Sequence, residues 1–166
     1  RDTLKRATAH SPFLRDSALA FPDIADTFAN RGAKAAVALA LSQSGDDVGA
    51  ELRRRRTALA LAAALGDLAG ELTLEDVTRI LSDFADEALD RALKAAIQDL
   101  SPGGDPVGFA ILALGKLGSH ELNYSSDVDL ILLFDPETLP RRERDDAGEA
   151  AVRIARRMVE LLQQRT

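Results

Sequence analysis

The 166-residue chain has no cysteine and no tryptophan, and only two histidines, one tyrosine and one methionine. Without cysteine there can be no disulfide and no thiolate metal site, which fits a reducing cytoplasm. Two histidines, His10 and His120, cannot by themselves build a histidine-rich zinc centre. No apolar run approaches the roughly 18 to 20 residues needed to cross a bilayer. The polar start, Arg1-Asp2-Thr3-Leu4-Lys5-Arg6, does not read as a signal peptide. A basic excess is also missing. The net charge of -6 argues against nucleic acid as a partner held by broad electrostatics, although it leaves a local basic patch open. The expectation is a soluble cytoplasmic protein with neither membrane nor nucleic acid as partner. The absence of an initiator methionine, and an end at Gln164-Arg165-Thr166 with no cap or tail signal, predict an excerpt of something larger.

What is present divides near residue 104. Up to about Leu100 the chain is rich in Ala and Leu, and its apolar residues recur at helical spacing. Ser11-Pro12 reads as an N-cap followed by proline in the first turn, and Pro22 opens another helix, giving helices near 12–20 and 22–30. After the loop Ser42 to Asp47, a long helix is expected from Val48 to about Gly70, burying Leu52, Leu59, Ala62, Ala63 and Leu65. Thr73 with Asp76 three residues on resembles a capping box for a helix reaching Leu100. That helix presents Val77, Ile80, Leu81, Phe84, Ala88, Leu89 and Leu93 to a core. Its acidic residues Glu75, Asp76, Asp83, Asp86, Glu87 and Asp90 read as a solvated face rather than a metal cluster.

Ser101-Pro102-Gly103-Gly104-Asp105-Pro106 is a breaker cluster and the expected domain boundary, with a helical bundle over 1–104 and a different unit over 105–166. Two short apolar runs follow, 108–114 and 128–134, of the kind expected for strands buried on both faces. A charged helix from about 141 to 165 should bury Ala147, Ala151, Ile154, Ala155, Met158, Leu161 and Leu162. The fold class is therefore α+β or α/β, a helical bundle followed by the opening of a sheet.

The residues that carry chemistry lie between and at the head of the second run. Residues i and i+2 of a strand project to one face with Cα atoms roughly 6.5 to 7 Å apart, so Asp127 and Asp129 could share a divalent metal. Burying both among Val, Leu and Ile would be costly without a compensating cation. Gly115-Lys116-Leu117-Gly118-Ser119 is a glycine-containing turn after an apolar strand, and such turns leave backbone N–H groups free for phosphate oxygens. Lys116 could reach a phosphate or face solvent. The turn matches neither the Walker motif nor G-x-G-x-x-G, and Gly-Ser turns also occur where nothing binds. The bland alternative for the carboxylates is that Asp127 caps a turn after Ser125-Ser126 while Asp129 is simply exposed on an edge strand. The chemical alternative is nucleotidyl transfer, in which two divalent ions roughly 3.5 to 4 Å apart steady the attacking and leaving oxygens. Mg²⁺, a hard ion that keeps water, needs only a few carboxylates.

The stretch from Gly108 to Asp135 resembles, without a gap, the nucleotidyltransferase signature of the glutamine synthetase adenylyltransferases. The likeness covers the Gly-Lys-Leu-Gly turn, Glu121-Leu122-Asn123-Tyr124-Ser125-Ser126 and the Asp127-Val128-Asp129-Leu130 strand start. It extends upstream through Ser11-Pro12-Phe13-Leu14, Leu52-Arg53-Arg54, Leu72-Thr73-Leu74-Glu75-Asp76-Val77 and Leu81-Ser82-Asp83.

This resemblance implies a polymerase-beta-like mixed sheet with flanking helices, of which 105–166 would be a partial core. The Glu-Leu-Asn-Tyr-Ser-Ser-Asp form is similar to the N-terminal of the family's two catalytic copies, the adenylyl-removing one. It implies phosphorolysis of adenylyl-tyrosine on glutamine synthetase, giving ADP and free tyrosine. Asp127 and Asp129 would be catalytic and would hold two Mg²⁺ ions. Gly118 and Ser119, with Gly115 and Lys116, would bind phosphate, ADP or ATP. Glutamine synthetase would be a partner, with a PII-type signalling protein as a second candidate. Ser119 stands where this family usually has a second glycine. The third carboxylate, expected by resemblance on a later strand within Asp-Leu-Arg-Leu-Arg-Pro, has no counterpart here. Asp135 shares the parity of Asp129 but lies about 20 Å further along. The alternatives are the adenylylating copy, another nucleotidyltransferase, and a non-catalytic module that docks glutamine synthetase or a PII-type protein.

Overall fold

Three helix starts expected from the sequence, after Ser11, Asp47 and Thr73, are built as hydrogen-bonded caps, whereas the start at Pro22 has no side-chain cap. The computed structural model describes residues 2–142 and 144–163. Its elements run α1 (Asp2–His10), α2 (Pro12–Ala20), α3 (Pro22–Arg31), α4 (Ala33–Leu41), α5 (Val48–Leu68), α6 (Leu74–Leu100), β1 (Phe109–Leu114), α7 (Gly115–Gly118), β2 (Asp129–Phe134) and α8 (Ala147–Gln163). Ser11 Oγ accepts the Leu14 N–H at 3.3 Å, and Pro12 opens α2. Asp47 Oδ1 accepts the Ala50 N–H at 2.7 Å at the head of α5. At α6 the capping box is complete: Thr73 Oγ1 accepts the Asp76 N–H at 3.1 Å, and Asp76 Oδ2 accepts the Thr73 N–H at 3.0 Å. Each bond satisfies a donor that the first helical turn leaves unpaired.

Helix α4 is not among the helices expected from the sequence. Gly32, at φ +80°, turns the chain out of α3. No local side chain caps α4; the Ala33 N–H is instead taken at 2.7 Å by Glu71 Oε2, from the turn before α6. The partner is supplied by folding, 38 residues away.

The apolar stripe of α5 is buried as expected, including Leu52, Leu59, Ala62, Ala63 and Leu65. On α6, Val77, Phe84, Ala88, Leu89 and Leu93 are buried, while Ile80 and Leu81 are half-buried. Helix α8 begins later than the expected 141, because Asp146 caps it: its Oδ1 accepts the Glu149 N–H at 3.0 Å and its carbonyl the Ala150 N–H at 3.0 Å. Its expected end at 165 lies outside the described residues. Ala151, Ile154, Met158 and Leu161 are buried in the same core as α5 and α6.

Across this core, Arg55 and Arg91 interleave with Glu51 and Glu87. Arg91 meets Glu51 at 2.7 and 2.9 Å, and Arg55 meets Glu87 at 2.7 and 2.8 Å. Glu87 is therefore more than part of a solvated acidic face. It is the counter-charge for a guanidinium that is 8% exposed. The Arg55 guanidinium also lies 5.7 Å from the centroid of the Phe84 ring.

Strands β1 and β2 pair antiparallel, from Phe109 opposite Phe134 to Leu114 opposite Asp129. The expectation that both are buried on two faces is not met. Phe109, Ile111 and Ala113, with Leu130 and Leu132, pack toward the helices. Leu112, Leu114, Ile131 and Leu133 of the opposite face each remain nearly half exposed. Among the described residues the helices cover one face of a two-stranded sheet, so a continuous apolar run folds into the alternating pattern of a one-sided strand. The whole is an α+β fold whose helical N-terminal part supports a small sheet. Among the described residues no helix is long and apolar enough to cross a membrane.

Candidate functional site

The register of the sheet places the turn beside the second carboxylate. Leu114, the last residue of β1, pairs with Asp129, the first of β2. Gly115 then turns the chain at φ +56° into α7, and a Cβ built on it would stand 3.4 Å from Asp129 Oδ2. Two residues fourteen positions apart in the chain thus become neighbours. Gly118 closes the same turn against the strand: a Cβ there would lie 2.5 Å from the Ala113 carbonyl oxygen, so any larger residue must lift α7 off β1. Leu117, fully buried, pins α7 from below.

Because β1 ends at Leu114, β2 has no partner before Asp129, and Asp127 falls in irregular chain rather than on the strand. The expected shared strand face therefore applies to Asp129, with Ile131 and Leu133, and not to Asp127 by strand parity. Both carboxylates are exposed. The desolvation cost expected of two buried like charges is absent.

The turn-capping alternative for Asp127 does not match the hydrogen bonds. The turn 123–126 is held by Asn123 and Ser126: Asn123 Oδ1 accepts the Ser125 N–H at 3.1 Å and the Ser126 hydroxyl at 2.8 Å, while Ser126 Oγ accepts the Asn123 N–H at 3.1 Å. Among the described residues, neither Asp127 nor Asp129 has an ion-pair partner. Two solvent-facing carboxylates with no competing cation have the hard oxygen donors that suit Mg²⁺. A third ligand is not gathered: among the described residues no group of three His, Cys, Asp or Glu is arranged to hold a metal. Asp135 is committed elsewhere, accepting the Glu137 N–H at 2.9 Å and the Thr138 hydroxyl at 2.8 Å. Those donors hold its carboxyl below the usual carboxylate range.

Ser119 and Lys116 are both exposed. The Ser119 hydroxyl lies 3.3 Å from each of the Gly115 carbonyl, the Lys116 carbonyl and Glu121 Oε2. It has one proton to give, and in this arrangement that proton closes the turn.

The loop between Ser119 and Asp127 is tied to the helical half by residues that motif reading did not single out for the site. The Leu122 N–H donates to Ser82 Oγ at 3.2 Å. His120, at φ +55°, brings Nδ1 to 3.9 Å from Asp83 Oδ1. Partial burial, with the Asp67 carboxylate second, pushes the Tyr124 phenol up from its ordinary range. The available signal was a serine, Ser82, seven residues before Leu89 on an otherwise apolar stripe.

The family model described as glutamate-ammonia ligase adenylyltransferase matches residues 2–166. Among similar proteins is a bifunctional glutamine synthetase adenylyltransferase/adenylyl-removing enzyme of Rhizobium meliloti (strain 1021), 36% identical over 191 aligned positions that cover 100% of this chain and 19% of the relative. Another of the same description, from Xanthobacter autotrophicus, is 42% identical over 78% of this chain and 14% of the relative. One from Mesorhizobium japonicum is 37% identical over 94% of this chain and 18% of its own length. The chain thus spans less than a fifth of the length of these relatives.

Proposed function

Because this chain belongs to the glutamate-ammonia ligase adenylyltransferase family, we propose that it is part of the adenylyl-removing nucleotidyltransferase unit of a larger bifunctional enzyme. Residues 105–166 form the partial catalytic core and 1–104 its helical support. Glutamine synthetase is the protein substrate, and phosphate is the acceptor. A phosphate oxygen attacks the phosphorus of adenylyl-tyrosine. The bond from phosphorus to the tyrosine oxygen breaks, ADP leaves, and the phenol oxygen takes a proton.

The observation that carries this reading is the neighbourhood of Gly115 and Asp129, with an unpartnered Asp127 just before the strand. Asp127 and Asp129 would hold Mg²⁺, whose chemistry is to withdraw charge from the phosphate oxygens. The backbone N–H groups of the 115–119 turn, with Gly118 kept free of a side chain, would orient the phosphate. Ser119 would exchange its bond within the turn for one to the phosphate, and Lys116 would stand at the mouth of the site. Cytoplasmic location and a PII-type regulator belong to the same reading.

The test is made in the full-length protein, where the names of the relatives imply both reactions. Asp127→Asn and Asp129→Asn, each made singly, abolish phosphate-dependent release of ADP from adenylylated glutamine synthetase and spare AMP addition. Retention of ADP release in either variant refutes the proposal. Loss of AMP addition alone assigns the residues to the adenylylating copy.

A further inference from the structure

We infer that Ser82, in the helical half, is a positioning residue for the loop that carries Asp127. This inference rests on the metal-binding role proposed above for Asp127 and Asp129. Ser82 is 0% exposed. A serine inside a helix commonly turns its hydroxyl back to a carbonyl of the preceding turn, a local bond that asks nothing of the rest of the fold. Here Ser82 Oγ accepts from the Leu122 N–H, 40 residues away in a buried contact at 3.2 Å.

Leu122 is held on two sides. Its N–H meets Ser82, while its side chain is buried with Leu89 of α6 and Leu117 of α7 in a small satellite core. The preceding residue continues the clamp, because the Glu121 N–H donates to the Lys116 carbonyl at 2.7 Å. From Asn123 to Asp129 every residue is exposed except Ser126, which is half-buried. Leu122 is therefore the last well-buried point before the carboxylates, and the four residues between it and Asp127 form the compact turn held by Asn123 and Ser126. Where Leu122 is fixed sets where Asp127 can reach.

The contact of the Leu122 N–H with Ser82 is buried, so losing the Ser82 acceptor strands a buried donor. The loop then relaxes outward to hydrate it, carrying Asp127 away from Asp129. Ser82 touches no reacting atom. It acts through the backbone of Leu122, and it makes α6 a lever on the site.

The experiment uses the full-length protein with Ser82→Ala, Ser82→Thr and the near-isosteric Ser82→Cys, whose thiol is a weak acceptor and whose small change in shape keeps the helix packed. Two quantities are read: hydrogen exchange of the peptide spanning Leu122, and the Mg²⁺ concentration giving half-maximal ADP release. In Ser82→Ala, exchange at that peptide accelerates, and half-saturating Mg²⁺ rises about tenfold, the size typical of losing a support behind a metal ligand. Ser82→Cys shifts both in the same direction, and supplies the test should Ser82→Ala fail to fold. Ser82→Thr, which keeps the hydroxyl, restores both. Faster exchange with unchanged Mg²⁺ dependence overturns the positioning role, as does unchanged exchange in both Ala and Cys variants. If Asp127→Asn leaves ADP release intact, the site assignment itself has failed, whatever Ser82 does.

Discussion

Arg55 grips Glu87 through two parallel hydrogen bonds, Nη1 to Oε1 at 2.7 Å and Nη2 to Oε2 at 2.8 Å. The guanidinium is 8% exposed and the Glu87 side chain 42%. The pair therefore sits at the edge of the core, with its cation inside and its anion half in water. Removing the Glu87 charge leaves the cation only the longer contact to Glu51, at 3.5 Å. Glu87→Gln is expected to destabilise the fold by about 2 kcal/mol, below the roughly 3 to 5 of a fully buried pair because water reaches the carboxylate. Replacing both partners, as Arg55→Met with Glu87→Leu, should recover most of that loss. Urea unfolding of the three variants measures it, and a double variant less stable than Glu87→Gln would contradict the account.

The same network contributes to the response to acid. Hydrogen bonds from Arg91 hold the Glu51 carboxyl below its ordinary range, and hydrogen bonds from Arg55 do so for Glu87. Both folded-state values lie below the unfolded value of about 4.3, so the stabilisation is fully present above that pH and is lost as pH falls through the lowered values. Urea midpoints should be level from about pH 7 to 5 in this respect and then decline below about 4.3. The combined Glu51→Gln and Glu87→Gln variant starts lower and loses less on acidification. An acid limb as steep as that of the parent would exclude the network as its source.

At the head of α6 the reciprocal bonds of Thr73 and Asp76 fix where the helix begins. Thr73→Ala removes the acceptor for the Asp76 N–H and is expected to cost about 1 kcal/mol, whereas Thr73→Ser should cost a few tenths. Thermal unfolding of the two variants separates the cap from any effect of the lost methyl group. Equal melting temperatures for Ala and Ser would show that the cap contributes nothing.

Gly118→Ala tests the contact between α7 and β1. Alanine is the better helix former, so local propensity alone predicts a gain. The close approach to the Ala113 carbonyl predicts the reverse. Forced displacement should cost about 1 to 3 kcal/mol and disturb the turn that meets Asp129. The expected outcome is lower stability together with reduced ADP release in the full-length protein. A variant as stable as the parent would mean that α7 does not lie on the strand.

The helices were legible because their signals are local. Ser11-Pro12, Asp47 and Thr73 with Asp76 cap the helices they precede through bonds spanning three residues, and a three-residue bond is written in adjacent letters. Helix α4 was not legible, because its cap comes from Glu71. The strands were found, but among the described residues only one face of each is covered. A continuous apolar run is the same string whether one face is covered or two, and only the placement of α6 and α8 decides which. Asp127 and Asp129 stood out by type and spacing, yet sequence could not tell that the strand would begin at Asp129. That limit is set by where β1 runs out of partner residues, opposite Leu114.

The sequence alone therefore determined the starts of α2, α3, α5 and α6 and the presence of two strands and a last helix, and it singled out the pair of carboxylates and the glycine turn on which the proposed chemistry rests. Each depends on spacing along one segment of chain. Tertiary structure alone decided that Gly115 lies against Asp129, that Arg55 finds Glu87, and that Leu122 is tied to Ser82. Those contacts join residues from 14 to 40 positions apart. No local propensity encodes them, because they form only when packing of the apolar faces has already brought the distant segments together.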